Sequence, residues 1–342
     1  MLALAAGLTL LALLLCAAER GAAPALFVVA AGPGGASSAL AAVAERAEWK
    51  QLLFLTVHSG SAAHAASDNN VRVYDYERGA SATGHLNLSG LALEPREVKR
   101  LGLHELRGMH AVGGMLFIAA AHRNHSKIVQ TTACAAPGHE REARTFAMDG
   151  LNHPYGMAFA RGVLYTGNQN SGLVVGYNIN RTRGRVRAQR VAQVPNPRGL
   201  AFDREGRLWV ASTSLGIVVL EPQRWSVVRR IAVRHPVGVT LDYANNVVYV
   251  GSVGDDCVYG FDGHSFRVIR TLRVPKPYVL GHPAGIAVVD NRVLVIEQRS
   301  RNLYVWDSTS GLFRGIALAG LPERSEQLVV LSCAARGNVQ LK

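Results

Sequence analysis

Short apolar runs separated by polar turns fill most of the chain after residue 50. The runs are four to six residues long, rich in Val, Ile, Leu, Tyr and Trp, and bounded by Gly, Asn, Asp and Pro. Residues 207–211 and 216–220 form one such pair around a Ser/Thr/Gly-rich loop. Bounded runs of this composition are typical of strands in tight hairpins. The sequence therefore predicts an all-β protein, with helical character confined to an Ala-rich segment at 38–50.

A short motif introduces four of these strand groups. It reads HPYGMAF from His153, NPRGLAF from Asn196, HPVGVTL from His235 and HPAGIAV from His282, with glycines 43, 39 and 47 residues apart. A fainter copy lies at 107–112. We expect the motif Pro at the start of a strand and the motif Gly where a side chain would obstruct a close neighbour. Four short strands repeated about every 40–45 residues predict a β-propeller with four-stranded blades.

The predicted number of blades and the predicted closure of the ring depend on the hairpin units in which the motif is weak or missing. Seven hairpins predict seven blades, and six is the alternative because the first and last units lack a clear motif strand. A propeller must join its ends or leave two exposed sheet edges. We expect a strand at 25–30, or one within 39–55, to pair beside the C-terminal hairpin at 328–341.

The Pro-x-Gly-hydrophobic-Ala strand, the short turn and the two following strands resemble NHL-repeat propellers and the related YVTN-type propellers. Residues 198–307 carry the best match, and weaker copies extend it over most of 50–342. The resemblance implies the fold. Propellers of this kind include lyases, lactonases, receptor modules and scaffolds, so it implies no single activity.

The N-terminus predicts a secretory protein. Residues 1–18 are apolar and end in small residues, which is typical of a cleaved signal peptide, although no basic residue precedes Arg20. An uncleaved anchor and an unrelated apolar tail are the alternatives, and no later stretch is long and apolar enough to span a bilayer. Residues 19–48 are then a linker or N-terminal closing segment and 49–342 the propeller, in a secreted or lumenal protein. Asn87, Asn124 and Asn180 stand in glycosylation sequons.

Three cysteines remain if Cys16 leaves with the signal peptide. They are Cys134, Cys257 and Cys333, and their pairing is open. An odd number leaves a free thiol or an intermolecular bridge. Cys257 begins a predicted strand, which favours a buried small apolar residue there.

The formal net charge is +13, and much of the excess arginine falls on predicted outer strands. Charges there protect sheet edges from pairing with other chains. They also suit a basic surface for an acidic glycan. Few aromatic residues accompany the arginines, so a single-stranded nucleic-acid partner is not expected.

The motif residues His153, Asn196, His235 and His282 are the candidate ligand-binding residues. Each precedes the first strand of a blade, so the four should ring one mouth of the central channel. Three imidazoles at one point suit a divalent metal. In the alternative, each side chain supports a turn, and no cofactor is expected. A second candidate metal cluster draws on Asn152, Asn168, Asn170, Asp255, Asp256 and Glu297, which lie in different loops.

The sequence thus favours a secreted or lumenal β-propeller that binds a ligand or a protein as a scaffold module. One alternative is a metal-dependent lyase or lactonase with its site at the channel mouth. Another is a basic module for acidic polysaccharide. No catalytic residue is identifiable, and both enzymatic activity and oligomeric state remain open.

Overall fold

The structure is a computed structural model that describes residues 49–58, 69–77, 85–122, 125–134, 142–180, 186–334 and 339–340. The predicted signal peptide at 1–18, the segment at 19–48 and the sequon at Asn124 lie outside the described residues. Apart from one short helix, α1 (Pro95–Arg100), the described elements are strands. No helix in the described ranges combines the length and the apolar character that a membrane crossing requires.

Within the described residues, twenty-five strands form six antiparallel sheets, which are the blades of a propeller. The first blade combines strands from both ends of the chain: β1 (Trp49–Val57), β2 (Asn70–Glu77), β3 (His85–Leu91), β24 (Ser325–Ala334) and the two-residue β25 (Val339–Gln340). The second and third blades are β4 (Leu106–Val112), β5 (Met115–Ala120), β6 (Lys127–Thr132), β7 (Arg144–Ala147) and β8 (Pro154–Ala160), β9 (Val163–Asn168), β10 (Leu173–Asn178), β11 (Gln189–Gln193).

The last three blades have the same order of strands. They are β12 (Pro197–Phe202), β13 (Leu208–Ser212), β14 (Gly216–Leu220), β15 (Val227–Ile231); β16 (Pro236–Asp242), β17 (Val247–Ser252), β18 (Cys257–Asp262), β19 (Val268–Leu272); and β20 (Pro283–Val289), β21 (Arg292–Glu297), β22 (Asn302–Asp307), β23 (Phe313–Ala319). The all-β propeller with four-stranded blades is confirmed.

The preference for seven blades is wrong, and the alternative of six is confirmed. The first and last hairpins, which the sequence predicts as two separate blades, belong to the same sheet. β24 is the innermost strand of that sheet and pairs antiparallel with β1, so that Leu53 lies opposite Val330. A strand near the N-terminus thus closes the ring, and it overlaps the second of the two expected ranges. We call the junctions of β24 with β1 and with the second blade the seam.

The innermost strands of successive blades approach one another closely at the motif glycines. A Cβ on Gly238 would lie 2.2 Å from the carbonyl oxygen of Ala284 in the next blade, and one on Gly199 would lie 2.3 Å from that of Val237. Gly108, Gly156 and Gly285 face the next blade in the same way. The motif prolines each occupy the first position of a strand, where no ladder hydrogen bond is lost. Both expectations for the motif are confirmed.

Apolar side chains fill the spaces between neighbouring blades. Trp209 of β13 is fully buried, and its ring centroid lies 5.9 Å from that of Phe261 in the next blade. Tyr249 and Trp306 are likewise fully buried in the cluster between the fifth and sixth blades. Complete burial of such side chains is worth about 2 kcal/mol each before the entropic cost of ordering them. The core is therefore distributed around the ring.

The cysteines resolve into one disulfide and one thiol. Cys333 on β24 bonds to Cys134, which follows β6 of the second blade, with the Cα atoms 5.5 Å apart. The bridge therefore crosses the seam between the first and second blades. Cys257 is free and fully buried, as its strand position predicted.

Candidate functional site

The four candidate mouth residues occupy one repeated backbone position. His153, Asn196 and His235 have left-handed backbone conformations, with φ of 57°, 46° and 46°. Asn and His are enriched among non-glycine residues in this region. Glu105 and Arg324, which immediately precede the innermost strands of the second and first blades, are left-handed as well. This position therefore turns the chain into the innermost strand through a left-handed residue in five of the six blades, and His282 is the exception.

Backbone hydrogen bonds fix these turns. The carbonyl of His153 accepts from the backbone N–H of Gln169 at 3.0 Å, and that of His235 accepts from Val253 at 3.1 Å. His282 makes the equivalent bond with Gln298 at 3.2 Å. Among the described residues, no side-chain hydrogen bond or ring contact joins any two of the four candidates. His235 and Asn196 are exposed, while His153 and His282 are partly buried.

The polar residues of the second candidate cluster cap the loops that precede the innermost strands. Asn168 pairs with Pro154 in the strand register, accepts from the backbone N–H of Asn152 at 3.0 Å and donates to Gly150 O at 2.9 Å. Glu297 is opposite Pro283 and accepts from the backbone N–H of His282 at 2.8 Å. These two side chains thus hold backbone in different blades.

Asp255 has the same kind of role in the fifth blade. It accepts from Ser252 Oγ at 2.8 Å and from Arg234 Nε at 2.6 Å. Throughout the described ranges, no group of three or more His, Cys, Asp and Glu side chains is arranged to hold a metal ion. The candidate histidines, aspartates and glutamate are therefore not gathered at one metal site within those ranges.

A different set of side chains lines the channel at the level of the motif glycines. Each belongs to the residue just before the glycine, at a β-bulge that interrupts the pairing of the innermost strand. The six equivalent positions hold Arg107, Tyr155, Arg198, Val237, Ala284 and Glu326. We call this set the channel ring.

Glu326 is the centre of a buried polar network in the channel ring. Its carboxylate accepts from Arg107 Nη1 and, at 2.5 Å, from Tyr155 Oη. His58 Nε2 lies 3.0 Å from the same carboxylate and 2.7 Å from Arg107 Nη1. The side chains of His58 and Glu326 are each 5 % exposed. The network joins the first, second and third blades across the channel.

Burial and neighbouring charges set the protonation states of Glu326 and Tyr155. Burial disfavours ionisation of Glu326, but the hydrogen bond from His58 and the charge of Arg107 outweigh burial and hold its pKa at about 2. Burial and the negative charge of Glu326 raise the pKa of Tyr155. The ring therefore contains a carboxylate and a neutral phenol at neutral pH.

The two mouth histidines nearest this network are affected as well. Burial, and then the charge of Arg107, lower the pKa of His153. Burial lowers the pKa of His282, and the charge of Arg198 acts in the same direction. Both imidazoles are therefore neutral at neutral pH, and the charges of the channel-ring arginines act on them.

Sequence reasoning missed most of the channel ring. Arg107, Tyr155 and Arg198 occupy the variable position before the motif glycine, so they could have been read from the repeat. Glu326 and His58 lie in strands and loops without the motif. Only the three-dimensional closure of the ring places them beside Arg107.

The outer strands of the fourth and fifth blades form a second candidate surface. Val228 on β15 and Ile269 on β19 are each 49 % exposed, and Val227 and Val268 beside them are exposed to a similar extent. Both strands lie at the outer ends of their sheets. Arg229, Arg230 and Arg267 are exposed next to these apolar pairs, and none is bound to an acidic side chain among the described residues. We call this surface the outer rim.

Two of the three sequon asparagines are described. Asn87 on β3 and Asn180 after β10 are both exposed, which is the placement that a glycan requires. Their modification stays a prediction.

Comparisons with known proteins agree with the propeller fold. No protein-family profile matches the sequence, and no curated protein gives a significant match. A chain of a nidogen/laminin complex is similar in structure, with a TM-score of 0.62 and 13 % identity over 82 % of this chain and 98 % of that chain. A putative 6-phosphogluconolactonase from Bacteroides fragilis has a TM-score of 0.57 and 8 % identity over the same shares. These likenesses show the β-propeller fold alone, the six blades are seen in the sheets of the structure itself, and membership of the NHL-repeat family is not shown.

Proposed function

We propose that this chain is a secreted or lumenal β-propeller that acts as a binding scaffold for an acidic protein partner. The observation that carries the proposal is the outer rim, where exposed apolar pairs on two neighbouring blades lie beside arginines that have no acidic partner among the described residues. Protein interfaces combine apolar side chains with arginine. The net charge of +13 favours a partner with an acidic surface.

The strand edges of the outer rim add backbone groups to this surface. β15 and β19 end their sheets, and no described strand pairs with their outer edges. Unpaired N–H and C=O groups can accept an additional strand from a partner. Arginines on these strands oppose nonspecific pairing, so the partner must supply acidic side chains as well as a strand or an apolar surface.

Two features support an oxidising compartment. A buried disulfide such as Cys134–Cys333 is typical of secreted and lumenal proteins. The described sequon residues Asn87 and Asn180 are exposed. Expression through a secretory pathway should therefore yield a chain with a glycan at Asn87, and Asn87→Gln should remove the corresponding mass. The similar nidogen/laminin chain comes from a complex between proteins, which agrees with a binding role.

An acidic polysaccharide is the second candidate partner. Exposed arginines without acidic partners among the described residues also lie on or beside β11, namely Arg187 and Arg190, so that the basic surface extends over three blades. A polysaccharide would be held by charge alone, and its binding would weaken steeply with salt. The apolar pairs at Val228 and Ile269 favour a protein.

The enzymatic alternative, a metal-dependent lyase or lactonase, requires an ion at the channel mouth. Metal analysis of the purified protein with and without chelator tests it. If the alternative holds, His153→Ala, His235→Ala and His282→Ala should each lower the metal content well below one ion per chain.

Site-specific photo-cross-linking in secreting cells tests the proposed binding surface. A photoreactive residue at Val228 or Ile269 should capture one partner reproducibly, and Arg229→Glu with Arg230→Glu should abolish the capture. Leu88, an exposed apolar residue on β3 of the first blade, is the matched control position. Equal capture from Leu88 would contradict the proposal. Retention on heparin resin, lost in the same variant without any cross-linked protein, would favour the polysaccharide.

A further inference from the structure

The two arginines of the channel ring differ in how their charges are balanced. Arg107 donates to Glu326, and its Nη2 also lies 4.0 Å from Glu105. The charge of Glu326 further raises the pKa of Arg107. Arg198 has no carboxylate and no hydrogen-bond acceptor among the residues that the structure describes. The carboxylate of Glu326 therefore balances the charge of Arg107 and not that of Arg198.

Arg198 is held in place by an aromatic ring instead. Its guanidinium carbon lies 4.7 Å from the ring centroid of Tyr155, whose hydroxyl is fixed by Glu326. Arg107 lies 5.4 Å from the same centroid. Stacking orients a guanidinium without using its N–H donors. Nε of Arg198 is buried without an acceptor in the described part of the chain, while the residue as a whole is half-buried.

The positions beyond Arg198 around the channel ring carry small apolar side chains. Val237 and Ala284 follow it in the next two blades, so the ring has no further large or acidic side chain on that side. Arg198 is therefore an oriented guanidinium whose neighbours on that side of the channel ring offer it no acceptor side chain.

We propose that Arg198 is the anchor of a binding site in the central channel for a small ligand that carries an oxyanion, a carboxylate, sulfate or phosphate. Its planar donor groups match two oxygens of such an anion, and charge-assisted bidentate bonds of this kind are strong and directional. The site is separate from the outer rim and does not depend on the proposed partner.

Titration of the full chain with sodium sulfate, sodium phosphate or trisodium citrate at constant ionic strength tests the site. Calorimetry should show saturable binding of at least one of them, and the Nε–H resonance of Arg198 should shift along the same curve. Arg198→Met should weaken binding at least about tenfold, and Arg198→Lys should weaken it less, because charge is kept and the bidentate geometry is lost.

Arg204→Met is the matched control. Arg204 also stacks on a tyrosine, with its guanidinium carbon 5.0 Å from the ring centroid of Tyr243, but it is exposed and outside the channel ring. Its variant should bind anions as the unaltered protein does. Absence of saturable binding, an unshifted Arg198 resonance, or equal losses in the Arg198 and Arg204 variants would overturn the proposal. Because the resonance is measured on the unaltered chain, a folding defect in Arg198→Met leaves the test intact.

Discussion

The seam and the repeated junctions between blades use different chemistry to bring innermost strands together. At a repeated junction, a glycine such as Gly156 faces the carbonyl of Arg198 directly. At the seam, Gln327 takes the place of the glycine, and the Thr56 hydroxyl stands between the strands. It donates to Arg107 O at 2.8 Å and accepts from the N–H of Gln327 at 3.0 Å.

This difference shows where ring closure is specified. Repeated junctions depend on the absence of a side chain and on apolar packing, so each copy resembles the next. The seam is packed by apolar side chains as well, and it has in addition particular polar and covalent partners, namely the Thr56 bridge, the Glu326 network and the Cys134–Cys333 disulfide. A repeat protein with a unique closing blade must encode that blade outside the repeat.

Removal of the disulfide should have the largest effect on the seam. Cys134→Ala with Cys333→Ala frees a loop of 199 residues and should lower the free energy of unfolding by about 4 kcal/mol. Urea denaturation measures the change. Cys257→Ala, which removes the buried free thiol from a repeated blade, is the control and should cost about 1 kcal/mol. Equal losses in the two variants would contradict a special role of the bridge.

Neutralising Glu326 should have the next largest effect. Glu326→Gln leaves Arg107 buried without its countercharge and should lower the free energy of unfolding at pH 7 by about 3 kcal/mol. The pKa of Glu326 falls from 4.5 to about 2 on folding. A depressed pKa stabilises the fold above the unfolded value, and this contribution is lost as the pH falls through the folded value.

The difference between the unaltered protein and Glu326→Gln should therefore be constant above about pH 4.5 and shrink toward pH 2. Urea midpoints at a series of pH values measure it. A difference that does not change with pH would show that the carboxylate charge does not stabilise the seam.

A methyl group at a repeated junction should cost somewhat less. Gly238→Ala places a Cβ 2.2 Å from Ala284 O, so the blades must separate, and the expected loss is about 2–3 kcal/mol. Gly113→Ala is the control, because Gly113 has φ of 54° and no atom within 4 Å of its Cβ position. It should lose only about 1 kcal/mol, from backbone strain. A thermal melt of Gly238→Ala within experimental error of the unaltered protein would show that the close approach at Gly238 does not limit stability.

The Thr56 bridge should have the smallest effect. Thr56→Val removes one donor and one acceptor from the seam and should cost about 1.5 kcal/mol. Thr166→Val is the matched control, since Thr166 is buried and donates only to Gly156 O within its own blade. If both variants lose the same amount, the hydroxyl at the seam contributes nothing beyond an ordinary buried hydrogen bond.

The repeat carried most of the predictable information. Pro236 and Gly238 predicted the start of an innermost strand and a close approach, because both depend on backbone properties that the residue type expresses directly. The motif histidines predicted a ligand site because the chemistry of imidazole is also expressed directly by residue type. The positive φ of His153 and His235 shows that these two residues shape a turn. Residue type alone does not distinguish this conformational role from ligand binding.

The blade number and the channel network could not be predicted in the same way. Two hairpins that appear complete in sequence share one sheet, since β24 pairs with β1 across more than 260 residues of chain. The partners of Glu326 come from residues 58, 107 and 155, which no local pattern connects. Pairing of chain ends is a property of ring closure, so only the folded structure reveals it.

Native-state hydrogen exchange tests the central claim, that the seam depends on the Glu326 network and the disulfide in addition to its apolar packing, while the repeated junctions do not depend on these partners. Amides of β24 and β1 should be compared with those of β16 in the unaltered protein and in Glu326→Gln with the disulfide reduced. The account predicts faster exchange in β24 and β1 of the variant while β16 keeps its protection. An equal rise in exchange in β16 and β24 would contradict it, because the ring would then open as one unit.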